Sequence, residues 1–200
     1  MRLIALVGPK RSGKSEIAKI LEWSGFACIK FSQPLKDMLL ALPGITLDHI
    51  EGHLKDVPCD VLMGQTPRHA MQTLGTEWGR DKIDTDIWLN LWKERIKGLH
   101  LVVVDDCRFL NEAFLVKSLG GEIWSVKREH CSYEGHSSET QMSKIESSMT
   151  FSNNGSLDDL RVNVTAMLGD VYAANADRWA GEDIGGHQVK PHRNIEGSDD

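Results

Sequence analysis

Leu3-Ile4-Ala5-Leu6-Val7 runs straight into Gly8-Pro9-Lys10-Arg11-Ser12-Gly13-Lys14-Ser15, and no other stretch constrains the fold of this chain as strongly. Five consecutive apolar residues suit a strand buried on both faces, as in a parallel sheet. The segment behind them matches G-x-x-x-x-G-K-[ST] at every fixed position. Its glycines allow the backbone to curl until successive N–H groups point at one anion. Ile17, Ala18 and Leu21 then recur at helical spacing until Gly25. Strand, loop and helix therefore set a helix N-terminus, with its partial positive charge, under a phosphate chain. In that arrangement Lys14 reaches the β- and γ-phosphates of a nucleotide, and the Ser15 hydroxyl completes a magnesium shell. A surface turn rich in Gly and Lys is the competing account, and it leaves the order of the three elements unexplained.

Beyond this unit the chain continues to alternate. Residues 26–32 (FACIKFS) predict a second strand closed by Gln33-Pro34. Leu35, Met38, Leu39 and Leu42 mark a helix ended by Pro43-Gly44. Residues 44–66 carry no assignable element. Thr66-Pro67 offers an N-cap and first helical position for a helix through about Trp78, stopped by Gly79. A further helix is expected from near Asp86, with Ile87, Leu91 and Ile96 on one side and Trp88 and Trp92 adjacent. Residues 101–104 (LVVV) form the second clear buried strand, followed by a helix over 111–119 capped by Gly120-Gly121. A short strand at 123–126 leads into a polar flap, 127–148, with one short helix from Ser138. A last strand at 149–152 precedes a closing helix outlined by Leu157, Leu160, Val164 and Leu168. The pattern fails from Ala173, and 181–200 reads as a loosely ordered tail. Strands alternating with helices predict an α/β fold with a parallel five-stranded sheet and right-handed crossovers.

With 200 residues, the chain suits one such domain with a small insertion. A net charge of −6 argues against a broad nucleic-acid surface, so no nucleic-acid partner is expected. The first apolar run is too short for a signal peptide or a membrane helix. The expectation is a cytoplasmic protein without a membrane partner, in the host cytoplasm if the source is viral. Cys28, Cys59, Cys107 and Cys131 are widely spaced with no C-x-x-C pair, which suits reduced thiols.

Asp105 and Asp106 stand where a buried strand emerges, the edge at which α/β proteins bind ligands. A carboxylate there can hold magnesium opposite Ser15; strand-terminal turn residues are the alternative. Arg68, Arg80, Arg108 and Arg128 fall outside the apolar stripes, at turns and element ends. Planar guanidinium groups neutralise transferring phosphate through bidentate hydrogen bonds. Arg128 opens the polar flap, where it either closes over phosphates and excludes water or pairs with Glu129 or Glu139. Trp78, Trp88 and Trp92 accompany Arg68 and Arg80; Trp88, after the Asp84-Thr85-Asp86 turn, is the first choice for a nucleobase contact, against ordinary helix packing.

The phosphate loop, Gln33-Pro34-Leu35-Lys36, Arg68 with the run from Gln72 to Asp81 (QTLGTEWGRD), and Asp106-Cys107-Arg108-Phe109-Leu110-Asn111-Glu112 together resemble the bacteriophage deoxynucleoside monophosphate kinases. His136-Ser137-Ser138-Glu139 and Asn153-Asn154-Gly155-Ser156-Leu157 are similar to later motifs of that family. The resemblance covers about residues 1–168. It implies a three-layer P-loop kinase fold with a helical acceptor-binding insertion (about 36–98) and a lid (about 128–148). The core is then 1–35, 99–127 and 149–170, with 171–200 as tail. It also implies transfer of the ATP γ-phosphate to a deoxynucleoside 5′-monophosphate with Mg2+, for DNA precursor synthesis, with a homodimer as a candidate assembly.

Carried over by position, Gly8, Pro9, Lys10, Arg11, Ser12, Gly13, Lys14 and Ser15 hold the ATP phosphates, with Asn153, Asn154 and Gly155 near adenine. Lys14, Arg68, Arg80, Arg108 and Arg128 are the catalytic candidates. Lys36, Arg68, Arg80, Asp81, Trp88 and Asp106 are assigned to the acceptor, and Ser15 and Asp106 to the metal. The lid departs from the family pattern, with only Lys127 and Arg128 before Cys131-Ser132-Tyr133-Glu134-Gly135. The competing functions are a P-loop kinase of another phosphorylated metabolite and a nucleotide-binding switch. Neither N-K-x-D nor D-x-x-G after a strand supports the switch.

Overall fold

Strands β1 (Arg2–Val7), β2 (Ala27–Cys28), β3 (Leu101–Val104), β4 (Glu122–Lys127) and β5 (Met149–Ser152) form one sheet in the order β2-β3-β1-β4-β5. Every pairing is parallel. The computed structural model describes residues 1–131 and 141–179. β1 lies at the centre, and its six residues are all buried, as the unbroken apolar run requires. Leu3, Ala5 and Val7 share a core with Leu89, Trp92, Ala113 and Val116. These partners come from α5 (Ile87–Arg95) and α6 (Leu110–Ser118). Helix α1 (Lys14–Trp23) packs against β1, β2 and β3, burying Ile17, Ala18, Ile20 and Leu21.

Between β2 and β3 the chain builds a separate helical core from Leu35, Leu39, Ile45, Ile50, Met71 and Trp88. Its elements are α2 (Gln33–Leu40), α3 (Leu47–Ile50), two 3₁₀ turns (His53–Asp56 and Asp60–Leu62), α4 (Pro67–Thr73) and α5. The Thr66 hydroxyl accepts from His69 N at 3.1 Å and Pro67 takes the first turn, as the sequence predicts.

Four expectations change. The second strand is two residues rather than seven, because the chain after Ile29 turns to bond Asp106 and start α2. The helix from Thr66 does not stop at Gly79; after α4 it widens into a π-helix, Leu74–Ile83. The cause is close packing: a Cβ on Gly79 would lie 2.4 Å from the Trp88 ring, and Gly75 O accepts from Trp88 Nε1 at 2.7 Å. The inward face of α5 is Trp88, Leu89 and Trp92, while Leu91 is exposed. The closing helix, α7 (Leu157–Trp179), runs past Ala173.

Residues 1–164 form one unit; of the second, which begins at Thr165, the described residues continue α7 to Trp179. Among the described residues no helix is long and apolar enough to cross a membrane. The short lid helix predicted from Ser138 begins outside the described residues, as do the His136–Glu139 motif and the tail from 180.

Candidate active site

The loop between β1 and α1 is held open by two close approaches. Gly8 (φ 153°) lies where a Cβ would sit 2.3 Å from Val126 O, and Gly13 (φ 106°) where it would sit 2.1 Å from Asn153 Nδ2. No other residue type fits either place. Asn153, buried after β5, donates from Nδ2 to Ser12 O at 2.8 Å and so ties the loop to the sheet edge. Asn154 Oδ1 accepts from Glu129 N at 2.8 Å, tying the chain just after β4 to the β5–α7 loop. A Cβ on Gly155 would meet Asp159, whose carboxylate accepts from Ser156 N and Oγ at the start of α7. Lys14 Nζ donates to Gly8 O and Pro9 O, each at 2.8 Å, arching its side chain back over the loop. Lys10 and Arg11 are exposed on the loop crest.

The two neighbouring aspartates divide their tasks. Asp105 is buried; its Oδ2 accepts from Ser15 Oγ at 3.5 Å and lies 3.8 Å from Lys30 Nζ, while its Oδ1 has no partner. Burial pushes this carboxyl above its ordinary value, with Lys30 opposing. Asp106 instead accepts from Phe31 N (2.8 Å), Ser32 N (3.0 Å) and Ser32 Oγ (2.6 Å), which commits it to the β2–α2 turn. The geometry therefore turns Asp105, rather than Asp106, toward Ser15. An orphaned buried carboxylate oxygen beside a serine hydroxyl fits a hard divalent cation. The described residues contain no cluster of three or more His, Cys, Asp or Glu able to hold a metal ion. Magnesium held here would take its other ligands from phosphate oxygens and water. A cleft of about 240 Å³ opens beside this pair, lined also by Lys19, Cys28 and Lys30. Burial first, then Asp105, pushes the Cys28 thiol up to about 12, which disfavours its thiolate.

A group of cations comes from four different elements. Lys36 of α2 is buried and donates to Glu51 Oε1 at 2.7 Å, which Lys30 also approaches at 3.3 Å. Against burial, these two lysines hold the Glu51 carboxyl below its ordinary value. Arg68 of α4 forks onto Asp56, with Nη2 to Oδ2 at 2.9 Å and Nε to Oδ1. Arg108 is exposed on the β3–α6 loop. Lys55 lies half-buried in the first 3₁₀ turn. Burial first, then the charges of Lys36, Arg68 and Arg108, push its ammonium down to about 8, with Glu51 opposing. Three cations whose charges together depress a fourth make a place that suits an anion.

Arg80 and Trp88 both make contacts inside the protein. Arg80 Nη2 donates to Glu112 Oε1 at 3.1 Å and stacks over the Phe109 ring, 4.1 Å from its centroid. Trp88 is 2% exposed inside the helical core, which corrects its placement against a base. Trp78 is exposed beside it, the rings 6.3 Å apart. Asp81 and Arg128 are exposed. Lys55, Lys30, Glu51 and Glu112 escaped sequence reasoning. Lys55 and Glu51 lie in the segment without periodicity, whereas Glu112 was legible as an acidic residue in the first turn of α6.

An anion-binding glycine loop at the carboxyl edge of the central strand of a parallel sheet defines an α/β protein of the P-loop kinase fold. A family model described as deoxynucleotide monophosphate kinase matches residues 45–164. The chain is 34% identical over 164 residues to a "Putative deoxynucleotide monophosphate kinase" of Acanthamoeba polyphaga mimivirus, spanning 74% of this chain and 85% of that protein. The chain belongs to the deoxynucleotide monophosphate kinase family. Among solved structures, a dephospho-CoA kinase from Campylobacter jejuni is similar, with 15% identity, a TM-score of 0.47, and 88% of this chain and all (100%) of that one covered. TT1252 from Thermus thermophilus matches with 19% identity and a TM-score of 0.47, covering 84% of this chain and 96% of that one.

Proposed function

We propose that this protein transfers the γ-phosphate of ATP to a deoxynucleoside 5′-monophosphate, releasing ADP and a deoxynucleoside diphosphate. The observation that supports the reading is that Lys36, Arg68 and Arg108 come near enough to act on the charge of Lys55, in a chain whose glycine loop suits a second anion. Two anion sites suit a reaction between two phosphorylated substrates, and membership of the deoxynucleotide monophosphate kinase family supports a nucleotide as one of them.

Gly8 to Ser15 would hold the ATP phosphates through loop amides, with Lys14 exchanging its bonds to Gly8 O and Pro9 O for phosphate oxygens. Ser15 and Asp105 would hold Mg2+, which when bound neutralises charge on the β- and γ-phosphates. Asn153, Asn154 and Gly155 would border the adenine while buttressing loop and lid. Lys36, Lys55 and Arg68 would grip the acceptor phosphate, and Trp78 and Asp81 would border its nucleoside. Arg108 and, from the lid, Arg128 would spread charge off the transferring group.

One acceptor phosphate oxygen attacks the γ-phosphorus. The bond from that phosphorus to the bridging oxygen breaks, and its electron pair leaves with ADP. The acceptor oxygen is already a nucleophile, so positioning and charge neutralisation supply the catalysis and no covalent enzyme intermediate forms.

A coupled ADP-release assay across the four deoxynucleoside monophosphates and several phosphorylated metabolites tests the reading. Release that rises with at least one deoxynucleotide and little with the metabolites is expected. Release independent of every acceptor would overturn it in favour of a nucleotide switch, and preference for a metabolite would move the acceptor class.

A further inference from the structure

Glu112 is 3% exposed, an unusual position for a carboxylate at the first turn of a helix. Its Oε2 accepts from Arg108 N at 2.7 Å and Phe109 N at 3.0 Å, while Oε1 accepts from Arg80 Nη2 at 3.1 Å. Capping alone does not account for this. A glutamine at the same place can accept from helix N-terminal amides equally well and would not carry a charge into the interior. What the carboxylate adds is a charged grip on Arg80, whose guanidinium in turn roofs the Phe109 ring. The amides of residues 108 and 109 are thus held by Glu112, and the Phe109 ring is covered by Arg80. Three elements meet at this point: the π-helix, the β3–α6 loop and α6.

We propose that Glu112 and Arg80 form a positioning pair for Arg108, so that Arg80 serves the reaction through the β3–α6 loop rather than by touching a substrate. With both amides of the loop fixed, the backbone that carries Arg108 is set before substrate arrives, and the Arg108 charge already acts on Lys55. The cost of burying the carboxylate is visible. Burial first, then Asp106, push the Glu112 carboxyl up to about 7, while the Arg108 and Phe109 amides and Arg80 pull it back. Cys107, between them, is also buried and its thiol pushed well up. The inference rests on the reading that Arg108 serves phosphoryl transfer.

The test is a double-mutant cycle on the full chain, reading kcat and acceptor KM for wild type, Glu112→Gln, Arg80→Gln, Arg108→Ala and the two doubles with Arg108→Ala. Thermal melting accompanies each. Glu112→Gln and Arg80→Gln should each lower kcat by about 10–100-fold, the usual scale for a support behind a functional group. On the Arg108→Ala background neither should lower kcat further, because residues acting as one unit are non-additive. Equal losses on both backgrounds would overturn the proposal while leaving the role of Arg108 intact. If Arg108→Ala itself leaves kcat and KM unchanged, the reading of Arg108 falls, and the positioning pair with it. Should Glu112→Gln fail to fold, Arg80→Gln carries the cycle, since it leaves the two amide bonds to Glu112 in place.

Discussion

Lys55 offers the sharpest test of the acceptor site. Its ammonium is held near 8 by burial and by Lys36, Arg68 and Arg108, with Glu51 opposing. Asp56, its chain neighbour, is committed to Arg68. If only the charged form receives the acceptor phosphate, apparent affinity scales with the charged fraction. That fraction is about 0.9 at pH 7 and about 0.1 at pH 9 for a group with this pKa. Acceptor kcat/KM should therefore fall about tenfold over that interval. The sign follows from the direction of the shift: a depressed lysine is charged below its folded pKa and loses the charge as pH rises through it. Because kcat/KM reports the free enzyme, its limb should appear near 8. A bound phosphate dianion raises the lysine pKa, so the limb in kcat should lie higher. Lys55→Arg, which stays charged throughout, should flatten the limb. Lys55→Met should cost about 1.5–3 kcal/mol, or roughly 10–150-fold in kcat/KM, at pH 7, the value of a hydrogen bond to a charged group. The measurement is a pH series of the ADP-release assay with saturating ATP. An identical alkaline limb in wild type and Lys55→Arg would refute the assignment.

The other expectations concern the donor half and the core. Lys14→Ala should lose about 2.7–4 kcal/mol of transition-state stabilisation, the scale for one preorganised electrostatic group; a near-normal kcat would remove Lys14 from the mechanism. Asp105→Asn should lower kcat by about 10²–10³-fold on the same scale and raise the Mg2+ concentration for half-activity. Asp106→Asn should chiefly lower the melting temperature, because it weakens the β2–α2 turn; the reverse pattern would return the metal to Asp106. Gly13→Ala forces a side chain to 2.1 Å from Asn153 Nδ2 at φ 106°. The ATP KM should rise while the acceptor KM holds, and unchanged ATP kinetics would refute the clamp. Trp88→Ala should cost about 3–5 kcal/mol of stability, as for a large core truncation, without altering preference among bases; denaturant unfolding and the acceptor panel check both.

Much of this site could be read from residue order because it depends on local geometry. The phosphate loop is a strand, a turn and a helix within two dozen residues, and its glycines carry their own explanation. The same holds for Thr66-Pro67 and for the strand ending at Asp105. What was not legible depends on packing between distant elements. The π-helix exists because Gly79 must admit Trp88 from the next helix, nine residues on. Lys55 sits in a 3₁₀ turn with no periodicity to announce it, and its neighbours arrive from residues 36, 68 and 108.

Asp105 and Asp106 show how narrow that limit is. Adjacent residues leaving a strand point to opposite sides, so sequence places one carboxylate at the loop and the other away from it without saying which. The choice is set by register: Val104 pairs with Ala5, and β2 pairs along the other edge of β3. That pairing brings Asp105 beside Ser15 and leaves Asp106 under the amides of Phe31 and Ser32. The two aspartates are therefore not alternatives for one role. Asp106 anchors the turn that starts α2, and α2 carries Lys36 into the cation group, while Asp105 faces the donor loop. Under the proposed function, one dipeptide at the end of β3 thereby links the donor and acceptor halves of the site. Loss of Asp106 should consequently reach the acceptor KM through Lys36, and loss of Asp105 the ATP-dependent step, a split that steady-state kinetics of the two asparagine variants can resolve.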